Sequence, residues 1–137
     1  MNAEGLLVMA AMTRHSAYTP YSHFQVGAAL LTEKGKIYTG CNIENAAYTP
    51  SNCAERTAFF KAVSEGERNF KAIAIVGGKE GVEEYDFCAP CGVCRQVMME
   101  FCDPEKFEIV LGDSAGNMKI LKLKDILPMG FGPKNLE

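Results

Sequence analysis

Residues 51–78 read SNCAERTAFFKAVSEGERNFKAIAIVGG. Ser51 or Asn52 can cap a helix that runs to about Glu65, and Gly66 is its natural stop. Ala72-Ile73-Ala74-Ile75-Val76 then reads as a buried strand closed by Gly77 and Gly78. A helix followed by a buried strand sets the expectation for the flanking chain. Downstream, Lys79 to Phe87 is an acidic loop without convincing periodicity, and Pro90 sits at the entry to a third helix reaching about Cys102. Phe107 to Leu111 is a further buried strand, with Asn117 to Leu121 its partner across the turn Asp113-Ser114-Ala115-Gly116. A short helix near Lys124 to Leu127 precedes a tail rich in glycine and proline. Upstream, residues 3–18 form a first helix that ends before Thr19 and Pro20, since proline disfavours helical geometry in the residue before it. Phe24 to Thr32 and Lys36 to Cys41 pair as strands around Glu33-Lys34-Gly35. Alternation of strands and helices in the middle of the chain favours a layered α/β domain.

The chain has 137 residues, which fits a single domain spanning 1–137 with a core of its own. Its hydrophobic fraction of 47% places it among globular proteins. Seventeen acidic residues against fourteen basic ones give a net charge of -3, which disfavours nucleic acid and other polyanions as partners. Residues 1–18 lack a basic segment followed by a long apolar run, so no secretory signal is expected. No apolar stretch approaches the roughly 20 residues that span a bilayer. A soluble cytoplasmic protein is expected, without a membrane partner.

Six cysteines stand at positions 41, 53, 88, 91, 94 and 102. A tight cysteine cluster in a reducing compartment points to metal or catalysis rather than to disulfides. Cys91 and Cys94 are one helical turn apart on one face, and Cys53 opens another helix. Helix N-termini lower thiol pKa values, and the thiolate is the form that binds metal. Three thiolates would give zinc its protein ligands and leave a fourth position open for water, as catalytic sites require. Glu55 lies two residues beyond Cys53, near enough to handle the proton of that water. Three thiolates around Zn²⁺ leave a net charge of about minus one, so a positive neighbour is needed. Arg56 is the first candidate to hydrogen-bond the sulfurs, with Arg95 a weaker second. Cys88 extends the pattern to C-x-x-C-x-x-C and could in principle close a four-cysteine structural site. Its place before Pro90, outside the helix, argues against that. Cys41 and Cys102 read as core residues, and His15 and His23 as surface ones.

Cys53-Ala54-Glu55 followed by Pro90-Cys91-Gly92-Val93-Cys94 resembles the signature of zinc-dependent cytidine deaminases, a pattern in which zinc-deaminase chemistry is already well described. Cysteine at the first ligand position, where nucleic-acid-editing relatives usually carry histidine, is similar to the small homotetrameric enzymes acting on free nucleosides. The likeness extends to Pro20-Tyr21-Ser22, to Phe24 through Ala29, to Gly40 through Ala46, and to Cys91 through Val97. It implies a three-layer α/β/α sandwich with a mixed five-stranded sheet. It also implies one Zn²⁺ per subunit on Cys53, Cys91 and Cys94, and a homotetramer with active sites shared between subunits. The implied reaction is deamination of cytidine and deoxycytidine in pyrimidine salvage, with Glu55 as the catalytic proton shuttle. Asn42 and Glu44 would bond the ribose hydroxyls, Phe24 would pack on the nucleoside, and the Ala54 backbone would meet the pyrimidine carbonyl. Tyr48 and Phe131 match aromatics that close a neighbouring subunit's pocket.

Paired Asn and Glu suit a diol by themselves, since one donates and the other accepts. Three rivals share the zinc motif: a deaminase of a cytosine-bearing antibiotic such as blasticidin S, a nucleic-acid editor, which acidity and short length disfavour, and a non-catalytic zinc-stabilised interaction module.

Overall fold

The computed structural model describes residues 2–137; Met1, counted in the expected domain, lies outside them. Helix α1 (Ala3–Thr13) begins at Asn2, whose side chain accepts a hydrogen bond from the Gly5 amide. It gives way to a 3₁₀ turn at Arg14–Ser16 instead of continuing to residue 18. Strands β1 (Phe24–Thr32) and β2 (Ile37–Cys41) follow, then helix α2 (Ala54–Ser64), strand β3 (Phe70–Lys79) and helix α3 (Gly92–Phe101). The β4 (Glu108–Gly112) and β5 (Met118–Lys122) hairpin and the short α4 (Leu123–Ile126) complete the layer structure.

The strands form one sheet in the order β2-β1-β3-β4-β5. Only β3 and β4 pair in parallel, with α3 in the crossover that such pairing demands; the other three pairs are antiparallel. The sheet is the mixed five-stranded one expected.

Side chains alternate across a strand, and that alternation builds two cores. Ala28, Leu30, Ile73, Ile75, Ile109 and Leu111 face one way, toward Ala54, Ala58 and Phe59 of α2 and Met98 of α3. Ala29, Leu31, Ala72, Ala74, Val76 and Val110 face the other way, toward Leu6 and Ala10 of α1. Helices therefore cover both faces, which explains why the middle strand reads as a continuous apolar run rather than an alternating one.

Strand β3 does not stop at Val76. Gly77 and Gly78 stay in the sheet, opposite Val26 and Gln25 of β1. A Cβ on Gly77 would lie 2.7 Å from the Cys88 sulfur, and one on Gly78 would lie 2.8 Å from the Tyr85 Cβ. These glycines admit the loop 80–91 against the sheet instead of terminating the strand.

Helix starts also differ from expectation. Cys53, rather than Ser51 or Asn52, holds the N-cap of α2, and Cys91 holds the N-cap of α3, with Pro90 just outside. Ser51 is engaged elsewhere, its hydroxyl accepting from the Asn45 backbone amide, and the Asn52 side-chain NH₂ donates to the Thr57 hydroxyl.

Gly40 sets the height of α2 above the sheet. A Cβ there would fall 2.5 Å from both the Ala54 carbonyl oxygen and the Ala58 nitrogen, which are backbone atoms with little room to yield. Gly40→Ala should therefore destabilise the protein by roughly 1–3 kcal/mol through overpacking, read as a fall of several degrees in Tm. Gly92→Ala, with open space at the added methyl, should leave Tm unchanged or raise it.

Candidate active site

Each of the two N-cap cysteines stands where a helix offers unpaired N–H groups and the positive end of its dipole. Cys94 lies one turn into α3 and is buried, whereas Cys91 is exposed. The sulfurs of Cys53 and Cys91 are 3.7 Å apart and those of Cys91 and Cys94 3.5 Å apart; all three lie within 4.8 Å of one another. Tetrahedral zinc with Zn–S bonds of about 2.3 Å separates its sulfurs by about 3.8 Å, so the trio fits three corners of such a site. The fourth corner receives no sulfur from this group. Cys88 lies outside it, its sulfur set against Gly77 and packed at the edge of the α2-side core.

Electrostatics favour the metal-binding form of Cys53. Hydrogen bonding with Cys94, opposed by burial and aided by Arg56 and Cys91, brings the Cys53 thiol down to about 5. The same contact with Cys53, and then burial, raises the Cys94 thiol. Burial pushes the Cys88 thiol up to about 11, which keeps it neutral. The Arg56 guanidinium donates to the Cys53 sulfur at 3.3 Å. Arg95 is engaged elsewhere: it donates to the carbonyls of Pro90 at 2.8 Å and Ile126 at 2.7 Å, tying the cysteine loop to the chain that leads into the tail.

Glu55 stands in the first turn of α2 and is only 4% exposed. Burial pushes its carboxyl up to about 7; the Cys53 thiolate adds to the rise, while its own amide, Cys94 and Arg56 restrain it. Ala54, the first residue of α2, is fully buried.

A second group gathers around the start of β1. The Asn42 side chain accepts from the Val26 amide at 2.8 Å and donates to the Phe24 carbonyl at 2.8 Å. Glu44 accepts from the amides of Tyr21 and Ser22, each at 3.0 Å, and from the Ser22 hydroxyl. Phe24 opens β1 with its ring beside the Gly77 and Cys88 positions. Tyr48 adopts a positive φ of 62° and meets Tyr21 edge-on at 5.9 Å, leaving most of its ring exposed. Phe131 is likewise exposed, its carbonyl held by the Gln96 amide at 2.8 Å. Ser22, which no motif marked as functional, enters only through these contacts; its place inside Pro20-Tyr21-Ser22 was the available signal.

Fold and site together define a protein that can hold a metal ion between two helix N-termini on one face of a mixed sheet. Residues 1–110 match the cytidine and deoxycytidylate deaminase zinc-binding region, and the chain belongs to that family. A cytidine deaminase of Sporosarcina psychrophila is 48% identical over 136 residues, covering 99% of this chain and 96% of its own. One of Mycobacterium tuberculosis is 39% identical over 120 residues, 88% of this chain and 82% of its own. The crystal structure of cytidine deaminase from Burkholderia pseudomallei superposes with a TM-score of 0.87 at 46% identity, covering 96% of this chain and all of that one. Zinc is thus the ion the sulfur trio fits.

If the trio alone supplies the protein ligands, Cys91→Ser should lower the zinc content well below one per chain while Cys88→Ser leaves it at one, measured by atomic absorption on purified protein. Loss of zinc from Cys88→Ser would make Cys88 a fourth ligand.

Proposed function

We propose that this chain catalyses the hydrolytic deamination of cytidine and deoxycytidine to uridine and deoxyuridine, with release of ammonia. The observation that carries the reading is a nearly buried carboxyl, Glu55, in the same first helical turn as one thiol of an open zinc trio. The naming of the relatives as cytidine deaminases supports it.

Cys53, Cys91 and Cys94 would hold the zinc, which when bound would supply Lewis-acid activation of water near neutral pH. Glu55 takes the proton from the attacking water and delivers it to the pyrimidine ring nitrogen beside the amine-bearing carbon, while the water oxygen bonds to that carbon. It then serves the departing amine, so that cytidine and water become uridine and ammonia. Arg56 offsets the excess negative charge of the three sulfurs through its bond to Cys53. Asn42 and Glu44 hold the sugar hydroxyls, Phe24 packs on the nucleoside, and the backbone of Ala54 meets the pyrimidine carbonyl. Tyr48 and Phe131, exposed on their own chain, suit the closure of a neighbour's pocket in a homotetramer.

Residues 1–137 act as one domain in this reading, working in the cytoplasm on a small nucleoside rather than on nucleic acid or a membrane. Six free cysteines suit a reducing compartment, and the net charge of -3 suits a partner other than a polyanion.

The test is an absorbance assay with cytidine and deoxycytidine on protein of measured zinc content. Glu55→Gln should retain zinc and lose roughly 10²–10⁴ in kcat, the scale of a removed proton shuttle. A zinc-loaded parent that turns over neither nucleoside would leave a binding module, and turnover of blasticidin S alone would transfer the activity to that antibiotic class.

A further inference from the structure

Two contacts orient the Ser22 hydroxyl. Its oxygen accepts from the Phe24 amide at 3.0 Å, and its O–H is directed to Oε2 of Glu44. The other carboxylate oxygen, Oε1, accepts from both the Tyr21 and the Ser22 amides, which fills its two lone-pair positions. One acceptor position remains on Glu44, the second lone pair of Oε2. Two residues earlier, Asn42 uses one side-chain N–H on the Phe24 carbonyl and one lone pair of its oxygen on the Val26 amide, leaving one N–H and one lone pair. The free N–H of Asn42 and the free lone pair of Glu44 supply the donor and the acceptor that a hydroxyl pair on a furanose can use. Desolvation opposes it, yet the Ser22 hydroxyl and the two amides hold the Glu44 carboxyl below its ordinary value, so it stays an acceptor.

We propose that Ser22 is a positioning residue for sugar recognition: it orients Glu44 so that Oε2 presents its last lone pair to a hydroxyl of the nucleoside. The same hydroxyl is bonded to the amide of Phe24, so one serine registers the sugar-reading carboxylate against the residue that packs on the nucleoside. This rests on the assignment of Glu44 to the sugar hydroxyls.

Kinetics on cytidine and on 2′,3′-dideoxycytidine, which lacks both ring hydroxyls, test it. Ser22→Ala should lower kcat/KM for cytidine roughly fivefold to tenfold, the net scale of one ordinary hydrogen bond, through KM with kcat nearly unchanged. On the dideoxynucleoside the same variant should match the parent, and Ser22→Thr should restore most of the loss on cytidine. Equal losses on both substrates would make Ser22 merely structural and overturn the proposal. Glu44→Gln separates the two levels. If it erases the parent's preference for cytidine over the dideoxynucleoside while Ser22→Ala does not narrow it, the assignment of Glu44 stands and the role of Ser22 falls. If Glu44→Gln leaves that preference intact, the assignment of Glu44 itself falls and the proposal goes with it.

Discussion

Three sulfurs held within 4.8 Å of one another repel strongly once ionised, and a cation has to stand among them. The protein meets this constraint with backbone as much as with side chains. Both Cys53 and Cys91 occupy N-caps, where an ordinary helix would place Ser, Thr, Asp or Asn to accept from its unpaired amides. Exchanging those caps for thiols gives up a conventional hydrogen bond and aims two helix dipoles at one point. Arg56 sets its guanidinium charge beside the Cys53 sulfur, to which it donates a hydrogen bond. A trithiolate zinc is electron-rich, and each of these features draws charge away from the metal's side of the sulfurs.

Convergence of two helix ends is a problem of packing before it is one of chemistry. Both helices lie on the same face of the sheet, and the height of α2 is set by small residues: Gly40 beneath it, and the alanines 54, 58 and 62 on its inner face. Across the sheet, Gly27 performs the same task for α1, since a Cβ there would lie 2.0 Å from the Ala10 carbonyl oxygen. Gly77 and Gly78 then let the loop 80–91 lie against β3, which brings Cys88 to the edge of the site without placing its sulfur among the three. A closed four-cysteine centre is avoided by the course of this loop.

The substrate side is organised around a different strand end. Asn42 and Glu44 follow β2, yet their hydrogen bonds go to residues 21–26 before and at the start of β1. The antiparallel pairing of β1 and β2 puts those segments side by side, with Gly27 opposite Cys41. The Asn42 and Glu44 side chains are therefore the fastenings of the loop as well as candidates for ligand contact, and each keeps unused hydrogen-bonding capacity.

Much of this was readable along the chain because it is written at short range. The buried strand at Ala72–Val76, the hairpin at Glu33-Lys34-Gly35, the helix stop at Gly66 and the one-turn spacing of Cys91 and Cys94 each depend on neighbours within a few residues. Their periodicity or backbone preference is legible there, and they point to the layered α/β structure and to a pair of thiols that the fold sets in a group able to hold a metal ion. What the chain alone left open involves residues far apart in it. The meeting of Cys53 with Cys91, 38 residues on, needs both helices at their heights on the sheet. The run of β3 through Gly77 and Gly78 reflects a loop pressing on it, where local rules read only a terminator. The bond from Ser22 to Glu44 spans 22 residues and exists through strand register. Local sequence thus determined the elements and the kinds of ligand atoms, while tertiary structure decided which atoms share a site, because that depends on close approach between backbones and not on any single segment's preference.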